Sequence, residues 1–457
     1  MNQTRKMGMD MTEGSVAKQL ITFAVPFMLA NALQMLFGIV NMIVVGQHVG
    51  PGGLSAVAIG NQMMFMFMSI AMGFSMGGQI YIAQLVGARE RTRINSVIGS
   101  LFTLVTLCGV AISVIVVLFT ETFLTLLNTP PEAMDGAIQF VRVNGYGLIF
   151  IFGYNVIAAI MRGLGDAKRP FIFIAIASVL NLFLVNIFVG VFHLGAMGAA
   201  LSMVVSQAVS FVIAIIYLYV KREEFGFDFK PQSFVLDKDI SITLCKLGIP
   251  IMVQNVAVSF SMMFVGRFIN AFGVAASAAQ GAAMSLGQLP GVLTMGLNFA
   301  NSAMVGQNMG AGKRDRAQSA VMITTAFGIG VFVIFALLLG LFPHQMFNLF
   351  TTDPYVHELV PLMVMTMFIM LPAQAIMPGF MSFINGIGNT RLTMIFGLFD
   401  GVVLRMGLSY LFGVVMGFGL PGFLVGANLA IYGMAVPCMI YYFSGIWKKR
   451  EMLTDRK

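Results

Sequence analysis

Gln307-Asn308-Met309-Gly310-Ala311-Gly312-Lys313-Arg314-Asp315-Arg316-Ala317-Gln318-Ser319 is a charged, glycine-bearing stretch between two long apolar runs. A close copy stands earlier in the chain: Gln84-Leu85-Val86-Gly87-Ala88-Arg89-Glu90-Arg91-Thr92-Arg93-Ile94-Asn95-Ser96. The Gln, the Gly-Ala, two arginines and the Ser match at a constant offset of 223 residues, from Gln84 to Gln307. Glycine and charge together mark a tight turn outside any apolar layer, with Gly87 and Gly310 as its turning residues. The offset recurs. Gly163-Leu164-Gly165-Asp166-Ala167-Lys168 aligns with Gly386-Ile387-Gly388-Asn389-Thr390-Arg391, and Val49-Gly50 with Phe272-Gly273. Pro26 aligns with Pro250 at one residue more. The chain is an internal duplication and reads as two halves.

A length of 457 residues is enough for several soluble domains, but the composition excludes them. The chain is 58% apolar and 10% charged, with a mean hydropathy of +0.90, whereas soluble domains hold about 25% charged residues. Apolar runs long enough to cross ~30 Å of hydrocarbon recur throughout, so this is a polytopic all-α membrane protein. Twelve spans are expected near 18–47, 54–86, 95–119, 136–162, 170–190, 196–221, 239–269, 275–308, 317–342, 357–386, 392–414 and 421–446. The first 20 residues are polar and show no cleavable signal.

Charge sets the orientation. Of the 26 Lys and Arg, all but Arg142, Arg267 and Arg405 lie in the two tails, in the even-numbered connections, or at helix ends bordering them. The odd-numbered connections instead hold Glu121, Glu132, Asp135, Asp353 and Glu358. This positive-inside pattern places both termini in the cytoplasm and the protein in the cell membrane. The net charge of +8 is then a topology signal, and no nucleic-acid partner is expected. All four histidines, His48, His193, His344 and His357, fall on the outer side, as interfacial side chains or as pH sensors. Both copies of the repeated loop are cytoplasmic, so each half has an even number of helices. The halves are therefore parallel repeats about an axis along the membrane normal. Residues 1–222 form an amino-terminal lobe, 223–238 a linker and 239–457 a carboxy-terminal lobe, with a central cleft for a solute.

Enzyme chemistry finds no foothold. Gly312-Lys313 fails as a phosphate loop, because Arg314 stands where Ser or Thr is needed and Gln307 where the first Gly is needed. No zinc-type His/Cys spacing occurs, and Cys108, Cys245 and Cys438 lack motif spacing, so no metal, cofactor or disulfide is expected. A solute pump without ATP draws on an ion gradient.

Polar side chains inside spans are costly and point to function or to helix pairing. Asn31, Gln34, Gly38 and Asn41 share an arc of about 80° on the first helix, at 100° per residue. Asn144, Asn155 and Arg162 share a face of the fourth. The fifth carries Asn181 and Asn186, the seventh Gln254 and Asn255, the eighth Gln288. Each lines the solute cleft or bonds another helix, the latter worth about 0.6 kcal/mol. Met64, Met68, Met72 and Met76 recur every fourth residue on the second helix. Flexible thioethers suit a surface accepting many apolar shapes, and equally suit packing.

Asp400 is the one carboxylate well inside a span, nine residues past Arg391 or roughly 13 Å in at 1.5 Å per residue. Arg405 follows at i+5, about 140° round an α-helix, so the two need not face each other. Asp400 is either a neutral, proton-carrying carboxyl or half of a static pair.

These residues resemble the multidrug and toxic compound extrusion (MATE) family. Thr12-Glu13-Gly14-Ser15, Phe23-Ala24-Val25-Pro26 and Val45-Gly46 resemble its opening. Val305-Gly306-Gln307-Asn308-Met309-Gly310-Ala311-Gly312 resembles its most recognisable loop, and Arg162-Gly163-Leu164-Gly165-Asp166 the turn after its fourth helix. The resemblance covers nearly the whole chain. It implies twelve helices in two lobes and export of cationic amphiphiles in exchange for Na⁺ or H⁺. The chain is expected to work as a monomer. The resemblance also makes Asn41 and Asn181 coupling candidates. Many members carry an aspartate at the position of Asn41, and an Asn-x-x-x-Asp at the fifth helix, where this chain has Asn181 but Val185. Gln374 stands near the aspartate of another branch. Asp400 with Arg405 resembles an acid–arginine pattern in the eleventh helix of some members. A lipid or lipid-linked oligosaccharide flippase of the wider superfamily is the alternative, which would place Arg142, Arg267 and Arg405 around an anionic headgroup. A receptor or channel is the third reading.

Overall fold

In hydrocarbon each backbone N–H and C=O must be paired within the protein, which leaves a chain of apolar runs no choice but helices. The computed structural model describes residues 8–127 and 129–453, and among them there is no strand. Twelve long helices follow one another: α1 Val16–Gly50, α2 Gly52–Gly87, α3 Thr92–Leu126, α4 Pro131–Gly163, α5 Lys168–Val191, α6 Gly195–Val220, α7 Lys238–Asn270, α8 Val274–Gly310, α9 Arg314–Leu341, α10 Pro354–Gly386, α11 Thr390–Val415 and α12 Gly419–Ser444. Eleven are long and apolar enough to cross a membrane. The exception is α8, whose Gln280, Gln288, Asn298, Asn301, Gln307 and Asn308 dilute its apolar character. With 37 residues it still reaches about 55 Å. The outermost residues of both tails, with their charges, lie outside the described residues.

The duplication is written into the backbone. Left-handed residues recur at the same offset: Gly50 (φ 80°) and Gly273 (φ 100°), Arg89 (φ 61°) and Gly312 (φ 72°), Gly165 (φ 90°) and Gly388 (φ 77°). This corrects the expected turning residues. Gly87 and Gly310 are the last residues of α2 and α8, and the chain reverses two residues later, at Arg89 and Gly312. A Cβ at Gly312 would meet nothing within 4 Å, so only backbone strain opposes a side chain there. Gly312→Val is expected to lower stability by about 1–2 kcal/mol, with Gly312→Arg milder because Arg89 already holds this conformation. A thermal melt of Gly312→Val matching the unsubstituted protein would contradict that role.

Packing divides the chain into two compact units: Met1–Asp10 with Val25–Met252, and Met11–Ala24 with Val253–Lys457. The starts of α1 and α7 are thus each grouped with the other half's helices. In the first unit the cause is visible. A Cβ on Gly73 would lie 2.8 Å from the Gly248 carbonyl oxygen, and one on Gly77 would lie 3.0 Å from the Gly248 nitrogen. This small-xxx-small stripe lets α2 meet the beginning of α7 backbone to backbone.

The segment expected as a linker, 223–238, is built into the first unit. Phe227 packs on Phe102 of α3, Phe229 and Phe234, with ring centroids 6.3, 4.6 and 5.2 Å away. Thr103 donates to the Phe234 carbonyl at 2.6 Å, and Asn95 to the Ser233 hydroxyl at 3.3 Å. Ser233 donates to Asp228 at 2.6 Å, and the Lys230 amide donates to the same carboxylate. These bonds, the Ser233 hydroxyl foremost, hold the exposed Asp228 carboxyl below its usual range. A folded value below the unfolded one of about 3.9 means the contribution is complete at neutral pH and lost as pH falls through the folded value. Asp228→Asn is expected to produce that loss at pH 7, read as faster chymotryptic cleavage after the half-buried Phe234. Equal cleavage rates would show that the carboxylate does not hold the segment.

In the second unit a buried cluster closes the end that carries the repeated loop. Trp447 is fully buried against Phe383 (4.9 Å between centroids) and donates its indole N–H to the Tyr442 carbonyl at 2.9 Å.

Candidate functional site

The clearest constellation lies in α11, which is not uniform. Thr390–Leu398 is α-helical, Phe399–Arg405 widens to a π-turn, Met406–Tyr410 returns to α, and Leu411–Val415 widens again. In a π-turn the repeat is i to i+5, so residues five apart share a face. That reverses the separation of about 140° expected from α geometry. Arg405 Nη2 lies 3.1 Å from Asp400 Oδ1 and 3.2 Å from Oδ2. Both residues are buried, at 3% and 9% exposure. A Cβ on Gly401 would lie 3.3 Å from the Ala257 carbonyl of α7, and one on Gly433 of α12 would lie 3.4 Å from the Asp400 Cα. The pair is therefore walled by α7 and α12. Arg405 Nε is buried without a hydrogen-bond partner.

Desolvating two charges costs several kcal/mol per ion, and only their mutual contact offsets it. A carboxylate held in this way can take up another cation only if Arg405 gives way.

The first unit holds a neutral counterpart. Asn41 of α1 donates to Asn181 Oδ1 of α5 at 2.8 Å, and Asn181 donates to the Ser202 hydroxyl of α6 at 3.2 Å. Ser202 in turn donates to the Ala199 carbonyl at 2.7 Å. Two residues singled out in the sequence are thus brought together, and Ser202 is a third that was not. Its signal was present: Ser202, Ser206 and Ser210 recur every fourth residue and are all buried. Nothing in this amide–amide–hydroxyl chain titrates.

The remaining candidates are scattered. Asn155 and Asn186 donate to carbonyls of their own helices, those of Ile151 and Leu182. Gln254 is buried, donates to Met434 Sδ at 3.6 Å, and leaves its Oε1 without a partner. Asn31 Nδ2 is also buried without a partner. Asn255 is half-buried, and its carbonyl accepts from Ser259. Gln34 and Gln288 are exposed, Met64 is buried and Met68 half-buried. Among the described residues no hydrogen bond joins these side chains into one site.

The second copy of the repeated loop has a ligand that sequence reasoning missed: the chain's own amino-terminal segment. Gln307 Oε1 accepts from the Met11 amide at 3.1 Å, and Asn308 donates to the Met11 carbonyl at 3.1 Å. Lys313 donates to the Thr12 carbonyl at 2.9 Å. Arg316 donates to the carbonyls of Gly14 and Met11 at 2.7 and 3.1 Å, and to Gln19 Oε1 at 3.2 Å. The loop is a clamp on the backbone leading into α1.

Comparison with known proteins bears on the family and the fold. A family model described as MatE matches residues 26–187 and again 250–411, once in each half. The probable multidrug resistance protein YpnP of Bacillus subtilis is 26% identical over 447 residues, 98% of this chain and 99% of the relative. The probable multidrug resistance protein YoeA of the same organism is 29% identical over 344 residues, 74% of each chain. Among solved structures, a MOP superfamily transporter from Pyrococcus furiosus superposes with a TM-score of 0.91 at 22% identity, covering 98% of this chain and all of that one. That protein is described as having a binding pocket of reverse polarity that suggests a different function.

Proposed function

The chain belongs to the MatE family, and from that premise we propose that it is a secondary active antiporter exporting organic cations in exchange for H⁺ or Na⁺. The family match in both halves and the multidrug resistance names of the curated relatives support export of drug-like solutes. The charge pattern supports a cell-membrane protein with both termini in the cytoplasm. One chain carries both repeats, which supports function as a monomer.

The observation that carries the coupling role is the buried Asp400–Arg405 contact in the π-turn. At rest Arg405 occupies the carboxylate. A proton or Na⁺ reaching Asp400 displaces the guanidinium, and the freed Arg405 must find another partner or water. That rearrangement, within a locally widened helix walled by α7 and α12, links ion binding to helix packing. Asn41 and Asn181 hold α1, α5 and α6 together through neutral bonds and position the first unit's helices without carrying a proton.

The flippase alternative needs free cations for an anionic headgroup. Arg142 is paired with Glu121 at 2.7 Å and Arg405 with Asp400, leaving only Arg267 of the three without an ion pair among the described residues. The test is uptake of a fluorescent organic cation into inside-out membrane vesicles. Accumulation is expected when the lumen is made acidic or loaded with Na⁺, and its collapse when the gradient is dissipated. Transfer of a headgroup-labelled anionic lipid, with no ion-dependent dye uptake, would favour the flippase.

A further inference from the structure

At the end of the second unit away from the repeated loop, the chain leaves α9 and turns through the short helix Pro343–Asn348. It then enters α10 at Pro354. His344 on the short helix and His357 in the first turns of α10 face each other with their Nδ1 atoms 3.1 Å apart. The rings are inclined by 26°, with centroids 5.4 Å apart. The other nitrogen of His357, Nε2, lies 3.1 Å from the Thr351 carbonyl and donates to it. That bond assigns the ring proton to Nε2 and leaves a lone pair on Nδ1, aimed at His344. A backbone carbonyl holding the far N–H of a histidine is the support that metal-binding imidazoles use to fix tautomer and orientation.

We propose that His344 and His357 form a binding site for a divalent transition metal of the zinc class, chelated by the two Nδ1 atoms. Metal–nitrogen bonds of about 2.0–2.1 Å, drawn to two nitrogens 3.1 Å apart, subtend roughly 100° at the metal. That angle fits a tetrahedral or octahedral ion and places it about 40° off the line joining the two nitrogens, so each ring turns by roughly that much to bring its lone pair onto the metal. Without metal, His344 donates its Nδ1–H to His357. On binding, the His344 ring proton passes through solvent from Nδ1 to Nε2, so the neutral pair takes up the metal with no net proton release. Among the described residues no group of three or more His, Cys, Asp or Glu could hold a metal. Water therefore completes the shell, and the site is open and exchangeable. His344 is exposed and His357 half-buried, so solvent ions reach both.

The fold does not demand this pair. At the repeat offset His344 corresponds to Glu121, which the first unit uses in its ion pair with Arg142. Where one unit is fastened by charge, the other presents two metal-ligand side chains. A bound ion would staple the short helix to α10. Charge is favourable too, since the acidic Asp353 and Glu358 flank His357 in the sequence.

The test uses the full-length protein in detergent, freed of affinity tag and stripped with EDTA, titrated with Zn²⁺ by calorimetry near pH 7.5. One zinc per chain is expected, with His344→Ala and His357→Ala each weakening it at least about tenfold, as lesser outer-shell changes already do. Zinc should also slow amide exchange across residues 342–358 in the unsubstituted protein and not in His344→Ala. No binding at millimolar zinc, or unchanged affinity in both variants, overturns the site. Exchange slowed equally in His344→Ala places the ion elsewhere and overturns it as well.

Discussion

Arg405→Ala is expected to destabilise the second unit by about 3–5 kcal/mol, because it leaves the Asp400 carboxylate buried without its counter-charge. Asp400→Asn has the mirror fault: it keeps the shape of the side chain and leaves the guanidinium uncompensated at 9% exposure. Neither single variant separates structure from coupling, but the double variant does. Asp400→Asn with Arg405→Met removes both charges and keeps volume, and replacing a buried ion pair by apolar groups is often neutral for stability or better. Melting in detergent should therefore recover to near that of the unsubstituted protein. Uptake of organic cation into inside-out vesicles should not recover, since no group remains to exchange Arg405 for a coupling ion. A stable double variant that still pumps against a gradient would reduce the pair to a structural fastener.

Loosening the amino-terminal clamp is expected to produce the second large effect. Arg316→Ala with Asn308→Ala removes three of the bonds to the backbone of Met11 and Gly14 and one to Gln19. Charge-assisted bonds contribute about 1.5–3 kcal/mol each, less where water replaces them, so a loss on the order of 2–4 kcal/mol is expected. The segment so freed leads directly into α1, whose first residues are grouped with the second unit and whose remainder is grouped with the first. Lys18 is exposed but held in the first turn of α1; release should fray that turn, speed tryptic cleavage after Lys18 and lower the initial rate of dye uptake about tenfold, an energy of ~1.4 kcal/mol in the transport barrier. Uptake and cleavage after Lys18 both at the normal rate would mean that the clamp contributes neither stability nor movement.

The apolar runs, the glycine-marked turns and the 223-residue repeat were legible because each is a local property. A run of about 20 apolar residues must be helical in hydrocarbon whatever surrounds it. The same locality identified Asp400 and Arg405 as an unusual pair of charges inside a span, and Asn41 and Asn181 as unusual amides. It also misplaced the turn by two residues, because Gly310 and Gly312 are equally good glycines and only the backbone shows which one adopts φ 72°.

What the amino-acid sequence determined by itself is the set of twelve helices, their duplication and the sparse inventory of polar groups within them. The tertiary structure alone decided which of those groups meet. Asp400 reaches Arg405 only because α11 widens into a π-turn where Gly401 lies close against α7 and Gly433 of α12 against Asp400, and no single-helix periodicity contains that neighbour-dependent choice. Met11 meets Gln307 across 296 residues of chain, and His344 meets His357 across a turn whose course depends on what it packs against. Secondary structure in a membrane follows from backbone hydrogen bonding, which is local. Contacts between side chains follow from how helices pack, and that depends on every surface at once.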